Sequence, residues 1–318
     1  MDIMSGSEAV AYPDSISVII PTRNGAGSLP AVLAMLRRQS IPYTELLVVD
    51  SASEDTTCDI AMNFGAKLTS IRKEDFDHGG TRSLIARQAK GDILIFLTQD
   101  AVPSSRDAIE KLIAPLQKED IAVSYGRQLP NREATASASH LRMFNYPAES
   151  SVRCFDDRQQ LGLKTIFVSN SFAAYRKSSL AKVGYFKNGL IFGEDTCTVG
   201  RLLKDGAKIA YVADAAVYHS HNYSWIQELK RAFDIGVLHS MEEWLIDTYG
   251  KAEKVGIGYI RSQYAAVRRI GGIFLLVDFF GRNACKFLGY TMGRRYRNLP
   301  RMIIPYLSMQ RSWWAGRD

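Results

Sequence analysis

The chain has 318 residues, room for one large α/β domain with an appendage or for two modest domains. Its 46 % hydrophobic and 23 % charged residues lie near the globular average, which excludes wholesale disorder, a collagen-like repeat and a polytopic membrane protein. The net charge of +7 is uneven: from Tyr259 to the end eleven Lys and Arg stand against two Asp, a balance of +9, so the preceding residues carry −2 and the basic character belongs to the C-terminal tail.

Residues 1–13 carry acids and show no basic segment followed by an apolar one, so a flexible N-terminus without a secretion signal is expected. Ser17 to Ile20 and Leu46 to Val49 read as buried strands, each running into polar residues: Thr22, Arg23 and Asn24 after the first, Asp50 and Ser51 after the second. Between them Leu29, Val32, Leu33 and Leu36 recur at helical spacing behind a candidate Ser28 cap. Further strands are predicted at Lys67 to Ile71, Ile93 to Leu97 and Ile121 to Tyr125, with helices near residues 55–64, 81–89 and 106–117. This alternation predicts a mostly parallel sheet with right-handed crossovers. From about Ala134 to Gly162 the pattern fades and a mobile insertion is expected; from Trp225 onward only helical periodicity remains. The expected division is therefore an α/β domain over 14–224 and a helical region over 225–318.

Open sheets of this kind bind ligands beyond the carboxyl ends of their strands, which makes Thr22, Arg23, Asp50, Thr98, Gln99 and Asp100 the first candidates. The cysteines Cys58, Cys154, Cys197 and Cys285 are scattered without a CxxC pair. They suggest neither a disulfide framework nor structural zinc, and fit a reducing cytosolic setting. No uncharged apolar run approaches the ~20 residues that span a bilayer, so no transmembrane anchor is expected.

Six segments carry a family resemblance: SVIIPTRN (17–24), LVVDSASEDTT (47–57), DHGGTRS (77–83), GDILIFLTQDA (91–101), FGEDTCTVGRLLKDG (192–206) and VYHSH (217–221). In order and spacing they resemble the motifs of family 2 glycosyltransferases. The resemblance covers roughly residues 15–225 and implies a GT-A fold, a nucleotide-sugar donor, Mg²⁺ or Mn²⁺, and transfer with inversion. The pairing of DHGGTR with LTQDA is similar to bacterial rhamnosyltransferases of O-antigen and surface-polysaccharide synthesis, which implies dTDP-β-L-rhamnose as donor.

Under this resemblance Asp50 accepts hydrogen bonds from the base; the alternative is a cap for a helix near Glu54, a role that Ser51 and Ser53 would fill equally well. Thr22 and Arg23 complete the base and ribose pocket, with a plain surface charge as the alternative for Arg23. In DHGGTRS the glycines would let the backbone approach a ligand and Arg82 would meet phosphate or base. Asp77 and His78 either contact the nucleotide or form an Asx-type turn. Ser83 stands where the family pattern has asparagine, and Thr98 stands where its DxD has the first acid, leaving Gln99 and Asp100. A carboxylate-held cation would neutralise the leaving diphosphate, and the resemblance makes His219 the second ligand with His221 as fallback. Asp195 matches the family's general base, Glu194 orients it or meets the acceptor, and Arg201 of the same helix pairs structurally. Acids in a first helical turn also suit the macrodipole without any chemistry. Ser169, Asn170 and Ser171 precede the acceptor region by resemblance.

The tail interleaves aromatics with arginines. Nucleic-acid binding, a helical homodimer contact and a membrane-surface helix all fit such a composition, but no nucleic-acid motif accompanies it. The membrane surface is the preferred reading. It agrees with the acceptor that the resemblance implies, a saccharide on undecaprenyl diphosphate at the cytoplasmic face of the inner membrane. The expected function is an inverting transfer of L-rhamnose to that acceptor. Alternatives are the same fold with UDP-galactofuranose, a UDP-hexose or GDP-mannose, a catalytically inactive membrane-bound scaffold suggested by Thr98, and a nucleotidyltransferase.

Overall fold

Apolar runs with period two build the central sheet. In the computed structural model, which describes residues 15–250 and 252–315, the strands are β1 (Ile16–Thr22), β2 (Glu45–Ser51), β3 (Lys67–Ile71), β4 (Ile93–Leu97), β5 (Val102–Pro103), β6 (Ile121–Leu129), β7 (Ser151–Arg153), β8 (Phe172–Arg176) and β9 (Lys208–Tyr218). The helices are α1 (Leu29–Leu36), α2 (Thr57–Asn63), α3 (His78–Gln88), α4 (Ala108–Ile113), α5 (Ala136–Asn145), α6 (Arg158–Leu161), α7 (Lys177–Lys182), α8 (Glu194–Lys204), α9 (Trp225–Met241), α10 (Glu243–Tyr249), α11 (Ala252–Ile270), α12 (Ile273–Arg294) and α13 (Ile304–Leu307). The expected N-terminal segment 1–13 lies outside the described residues.

The strand order is β3-β2-β1-β4-β8-β6-β9-β5, with β7 on β9. The half β3-β2-β1-β4 is parallel, as the βαβ pattern requires. Beyond β4 the sheet is mixed: β8 runs antiparallel to β4 and β6, while β6 and β9 are parallel. The expectation of a mostly parallel sheet is corrected here, because β8 and the long β9 follow no clean βαβ spacing. In an alternating strand, successive side chains face opposite layers. Val18 and Ile20 accordingly pack with Leu29, Leu33, Leu46 and Ile109 on one face. Ile19 packs with Ile85, Phe96, Tyr175, Leu203, Phe233 and Val237 on the other. Residues of α9 thus share a core with those of the sheet.

Three local expectations change. Ser28 has helical backbone angles and no capping hydrogen bond, so it does not cap α1. Helix α3 begins at His78, three residues earlier than its apolar period suggests, because Asp77 caps it by accepting from Gly80 N. The stretch 134–162 is an ordered part of the fold: Thr135 caps α5, and β7 extends the sheet beside β9.

Candidate functional site

The parallel half of the sheet delivers the first cluster. Register places Thr22 beside Asp50, and Thr22 Oγ1 donates to Asp50 Oδ1 at 3.1 Å. Asp50 is 2 % exposed and also receives Ser53 N at 2.8 Å, so it organises the loop after β2. It does not cap a helix near Glu54, since α2 starts at Thr57 and Asp55 receives the Thr57 amide. The loops after β1 and β2 are stitched together by Asn24 N to Ser53 Oγ at 2.8 Å and Glu54 N to Asn24 Oδ1 at 2.9 Å. Asn24 (φ 47°) and Ala52 (φ 53°) both occupy the left-handed region, a conformation that β-carbon residues keep only where surroundings over-determine it. Gln99 spends its amide on this loop: Oε1 accepts from Arg23 N at 2.9 Å and Nε2 donates to Arg23 O at 3.1 Å. Gln99 is therefore a clamp on the Arg23 backbone, a correction to its expected place on the nucleotide. The Arg23 side chain is exposed.

The motif DHGGTRS is used differently from expectation. A Cβ on Gly79 would lie 1.9 Å from Lys187 O, so this glycine admits protein backbone where a ligand was expected. Asp77 caps α3 with Oδ1 and receives Gly189 N on Oδ2 at 2.9 Å; the Asx-type role expected as one alternative is the one the geometry gives. Ser83 Oγ exchanges hydrogen bonds with the Phe186 backbone. Arg82 is buried, donates to His78 O at 3.0 Å and pairs with Glu194 Oε1 at 3.1 Å. It faces the acids of α8, which corrects its expected contact with phosphate or base. Burial pushes the His78 imidazole below its ordinary value, against the pull of the Glu194 carboxylate.

Glu194 and Asp195 open α8. Asn170 Nδ2 donates to Glu194 at 3.1 Å, its backbone N–H donates to Asp195 Oδ2 at 3.1 Å, and Tyr175 hydroxyl fixes its own oxygen at 2.8 Å. Thr196 N supplies Asp195 Oδ1 at 2.7 Å. Burial opposes ionisation of Glu194, but Arg82 and His78 outweigh it and hold the carboxyl below its usual range. For Asp195, burial and then the neighbouring Glu194 charge push the value up to about 6, despite the two amides. Two adjacent carboxyls are thereby driven apart in acidity, the pattern expected of one charged anchor and one proton acceptor. Arg201 donates to Val183 O and Tyr185 O and is structural, as the resemblance implied. Removing the guanidinium in Arg82→Ala leaves Glu194 as an uncompensated buried charge; a loss of about 3–5 kcal/mol in urea unfolding is expected, and an unchanged midpoint would contradict the pairing.

Asp100, after β4, meets His219 and His221 at the end of β9. Their ligand atoms lie within 4.8 Å of one another, His219 Nε2 being 3.4 Å and His221 Nε2 3.8 Å from the Asp100 carboxylate. Burial resists ionisation of Asp100, yet His219 and His221 keep it well below the usual carboxylate range. Gln128 of β6 fixes the tautomer. Its Oε1 accepts from Arg142 of α5 at 2.5 Å, and an arginine only donates, so His219 Nδ1, 3.0 Å from the same oxygen, must carry a proton. With Nδ1 turned to Gln128, His219 leaves Nε2 as the ring nitrogen on the Asp100 side, with the second-sphere hydrogen bond common behind metal-binding imidazoles. One carboxylate and two imidazoles suit a divalent cation such as Mn²⁺ or Mg²⁺, with the softer nitrogen ligands favouring Mn²⁺. Gln128→Leu should weaken Mn²⁺ binding about 10- to 100-fold in titration calorimetry; unchanged affinity would refute the tautomer argument.

Gln128 and Arg142 were not singled out from sequence, since a glutamine and an arginine in a fading pattern carry no motif. Ser169 to Ser171 turn out to join the two centres: Ser169 Oγ accepts from Gln128 Nε2 at 3.0 Å, and the next residue holds Glu194 and Asp195.

Comparison with known proteins agrees with this geometry. The family model of Glycosyl transferase family 2 matches residues 17–184. The chain is 38 % identical over 305 residues to O-antigen chain rhamnosyltransferase RfbN of Salmonella typhimurium, covering 94 % of this chain and 96 % of that one. It is 36 % identical over 306 residues to O-antigen chain rhamnosyltransferase WbaN of Salmonella anatum, with the same coverage. Among solved structures it is similar to mannosyltransferase PcManGT from Pyrobaculum calidifontis in complex with GDP-Man and Mn²⁺, at TM-score 0.63 and 16 % identity over 90 % of this chain and 89 % of that one. That likeness shows the GT-A type of fold: a mixed sheet whose parallel half ends in Thr22, Asp50 and Asp100, followed by C-terminal helices. A match over more than half the chain and near full-length relatives lead to one conclusion, that this protein is a glycosyltransferase of family 2.

Proposed function

We propose that the protein transfers L-rhamnose from dTDP-β-L-rhamnose to a hydroxyl of a lipid-linked saccharide, with inversion at C1, in the synthesis of an O-antigen or related surface polysaccharide. The names of the two relatives that align over 94 % of the chain carry the choice of sugar. The Asp195 centre supports the choice of reaction. In an inverting transfer the acceptor O–H proton passes to a base while its oxygen bonds to C1 and the C1–O bond to the diphosphate breaks, the electron pair leaving with dTDP. Asp195, pushed up to about 6, is mainly deprotonated at pH 7 and still basic enough to take that proton. Its two backbone amides fix the carboxylate plane, and Glu194, held by Arg82 and Asn170, keeps its acidity low.

On the donor side, Asp50 and Thr22 are the groups at the strand ends for the base and ribose. Asp100 and His219, with His221 beside them, would hold Mg²⁺ or Mn²⁺, which when bound supplies positive charge against the leaving diphosphate. An undecaprenyl diphosphate carrier as acceptor places the enzyme at the cytoplasmic face of the inner membrane. The test is release of nucleoside diphosphate from dTDP-rhamnose, UDP-galactofuranose, UDP-hexoses and GDP-mannose by the purified protein, with and without Mn²⁺. Selective, metal-stimulated turnover of dTDP-rhamnose is expected. Selectivity for another donor would overturn the rhamnosyl assignment, and absence of turnover with every donor would favour a scaffold.

A further inference from the structure

Helix α12 turns small residues toward α9 and leaves large apolar ones exposed. Its contact with α9 is made through small residues: a Cβ on Gly281 would lie 2.4 Å from the Trp225 ring, one on Gly289 2.2 Å from Leu229 O, and one on Gly293 2.0 Å from Phe233 O. The large apolar residues Ile273, Val277, Phe280, Phe287 and Leu288 recur at helical spacing on the opposite side and are exposed. Phe287 is 74 % exposed and Phe274, next to the Gly271–Gly272 turn into α12, is 86 % exposed. Helix α11 continues the surface: Ile257, Ile260, Arg261, Tyr264 and Arg268 fall on one helical face and all are exposed. A contiguous apolar surface of this kind marks a docking site.

Charge decides what docks there. Between Val255 and Arg301 the sequence has nine Lys and Arg and one acid, Asp278, which is already engaged by Arg282 and Trp225. Arg261, Arg268, Arg269, Arg295, Arg297 and Arg301 are exposed, and none has a carboxylate within ion-pair distance among the described residues. A second copy of the same face would bring like charges together, because a two-fold contact repeats one patch on both sides. A partner that is both apolar and anionic satisfies the whole surface, and a bilayer with acidic headgroups is one. No helix among the described residues is long and apolar enough to cross a membrane, so the contact is lateral.

We infer that the α11–α12 hairpin lies in the interface of an anionic lipid bilayer, with Ile273, Phe274, Phe280 and Phe287 in the acyl boundary and Arg261, Arg268, Arg269 and Arg295 at the headgroups. The hairpin is anchored to the catalytic domain through α5: Tyr259 packs on His140 and Phe144, and Gln263 donates to Ser137 at 3.2 Å. Helix α5 also carries Arg142, which holds the Gln128–His219 pair. The same rigid element therefore spans from the lipid surface to the cation site, which sets the distance at which a lipid-borne acceptor is met. The inference stands on this surface and does not depend on which sugar is transferred.

The experiment is flotation of the full chain with phosphatidylcholine vesicles, with and without phosphatidylglycerol, at low and high salt. Binding to the anionic vesicles alone, weakened by salt, is expected. The doubly substituted Arg268→Gln, Arg269→Gln protein, altered only at exposed positions, should bind about fivefold more weakly for each arginine removed. Phe274→Ser, Phe280→Ser, Phe287→Ser together should lower binding by at least about tenfold, with Mn²⁺ binding retained as a check on folding. Failure of the unaltered protein to float with anionic vesicles would overturn the inference, as would equal binding to both vesicle types. A dimer seen by light scattering and abolished by the phenylalanine substitutions would instead make this face a contact between copies.

Discussion

Asp195→Asn is expected to lower kcat by about 10²- to 10⁴-fold, the usual contribution of a positioned general base, while leaving nucleotide-sugar affinity within a small factor. Asparagine matches the shape of the carboxylate but has no lone pair basic enough to take the acceptor proton. It still receives one of the two backbone amides of Asn170 and Thr196, so the start of α8 stays in place. The pH profile gives a second reading. A base must be deprotonated to act, so for the unaltered enzyme kcat should rise with pH through about 6 and level off above it. That limb belongs to Asp195 in its pairing with Glu194 and should vanish from the residual activity of the variant. An inflection left in place by Asp195→Asn would assign the base elsewhere. A protein indifferent to the substitution would be a scaffold and no enzyme.

Asp100→Ala should be as damaging by a different route. It removes the sole carboxylate of the Asp100, His219 and His221 cluster, and a divalent cation bound to two imidazoles without an anionic ligand is held poorly. Mn²⁺ affinity should fall by about 100-fold or more, and kcat by about 10²- to 10³-fold, the range seen when a donor to a developing anion is lost. Electron paramagnetic resonance of free Mn²⁺ measures the first and a coupled assay for nucleoside diphosphate the second. Retained Mn²⁺ binding in the variant would move the cation site away from β4 and β9. The two substitutions should also separate: Asp195→Asn spares Mn²⁺ affinity, and Asp100→Ala does not.

The residues that were readable from sequence are those whose role is set by a short local pattern. Thr22, Asp50 and Asp100 each end a run of buried apolar residues, and a polar residue at the end of a buried strand has to face the sheet edge. Glu194 and Asp195 announce themselves as paired acids at the start of an amphipathic helix. What stayed hidden depends on contacts distant in sequence. Arg82 follows two glycines at a helix start, the local signature of anion binding. Only the packing of α3 against α8 shows that its anion is the Glu194 carboxylate. Gln99 sits between two candidate residues on the same loop, yet its partner is a backbone 76 positions earlier. Gln128 of β6 and Arg142 of α5 carry no periodic or motif signal, and Asn170, reached by resemblance, shows its role only through its contacts with Glu194 and Asp195. Strand β9 was recognised only by its histidine end, since its run of alanines is weakly β-forming and is stabilised by pairing with β6.

The central claim is an inverting rhamnosyl transfer, and one product structure tests it. The purified protein is incubated with dTDP-β-L-rhamnose, Mn²⁺ and a lipid-linked saccharide acceptor, and the new linkage is read by NMR. An α-L-rhamnosyl product, formed in step with dTDP and absent with Asp195→Asn, is the predicted result. A β-linked product would contradict the single in-line displacement that Asp195 is placed to serve, and transfer of a different sugar in preference to rhamnose would contradict the choice of donor.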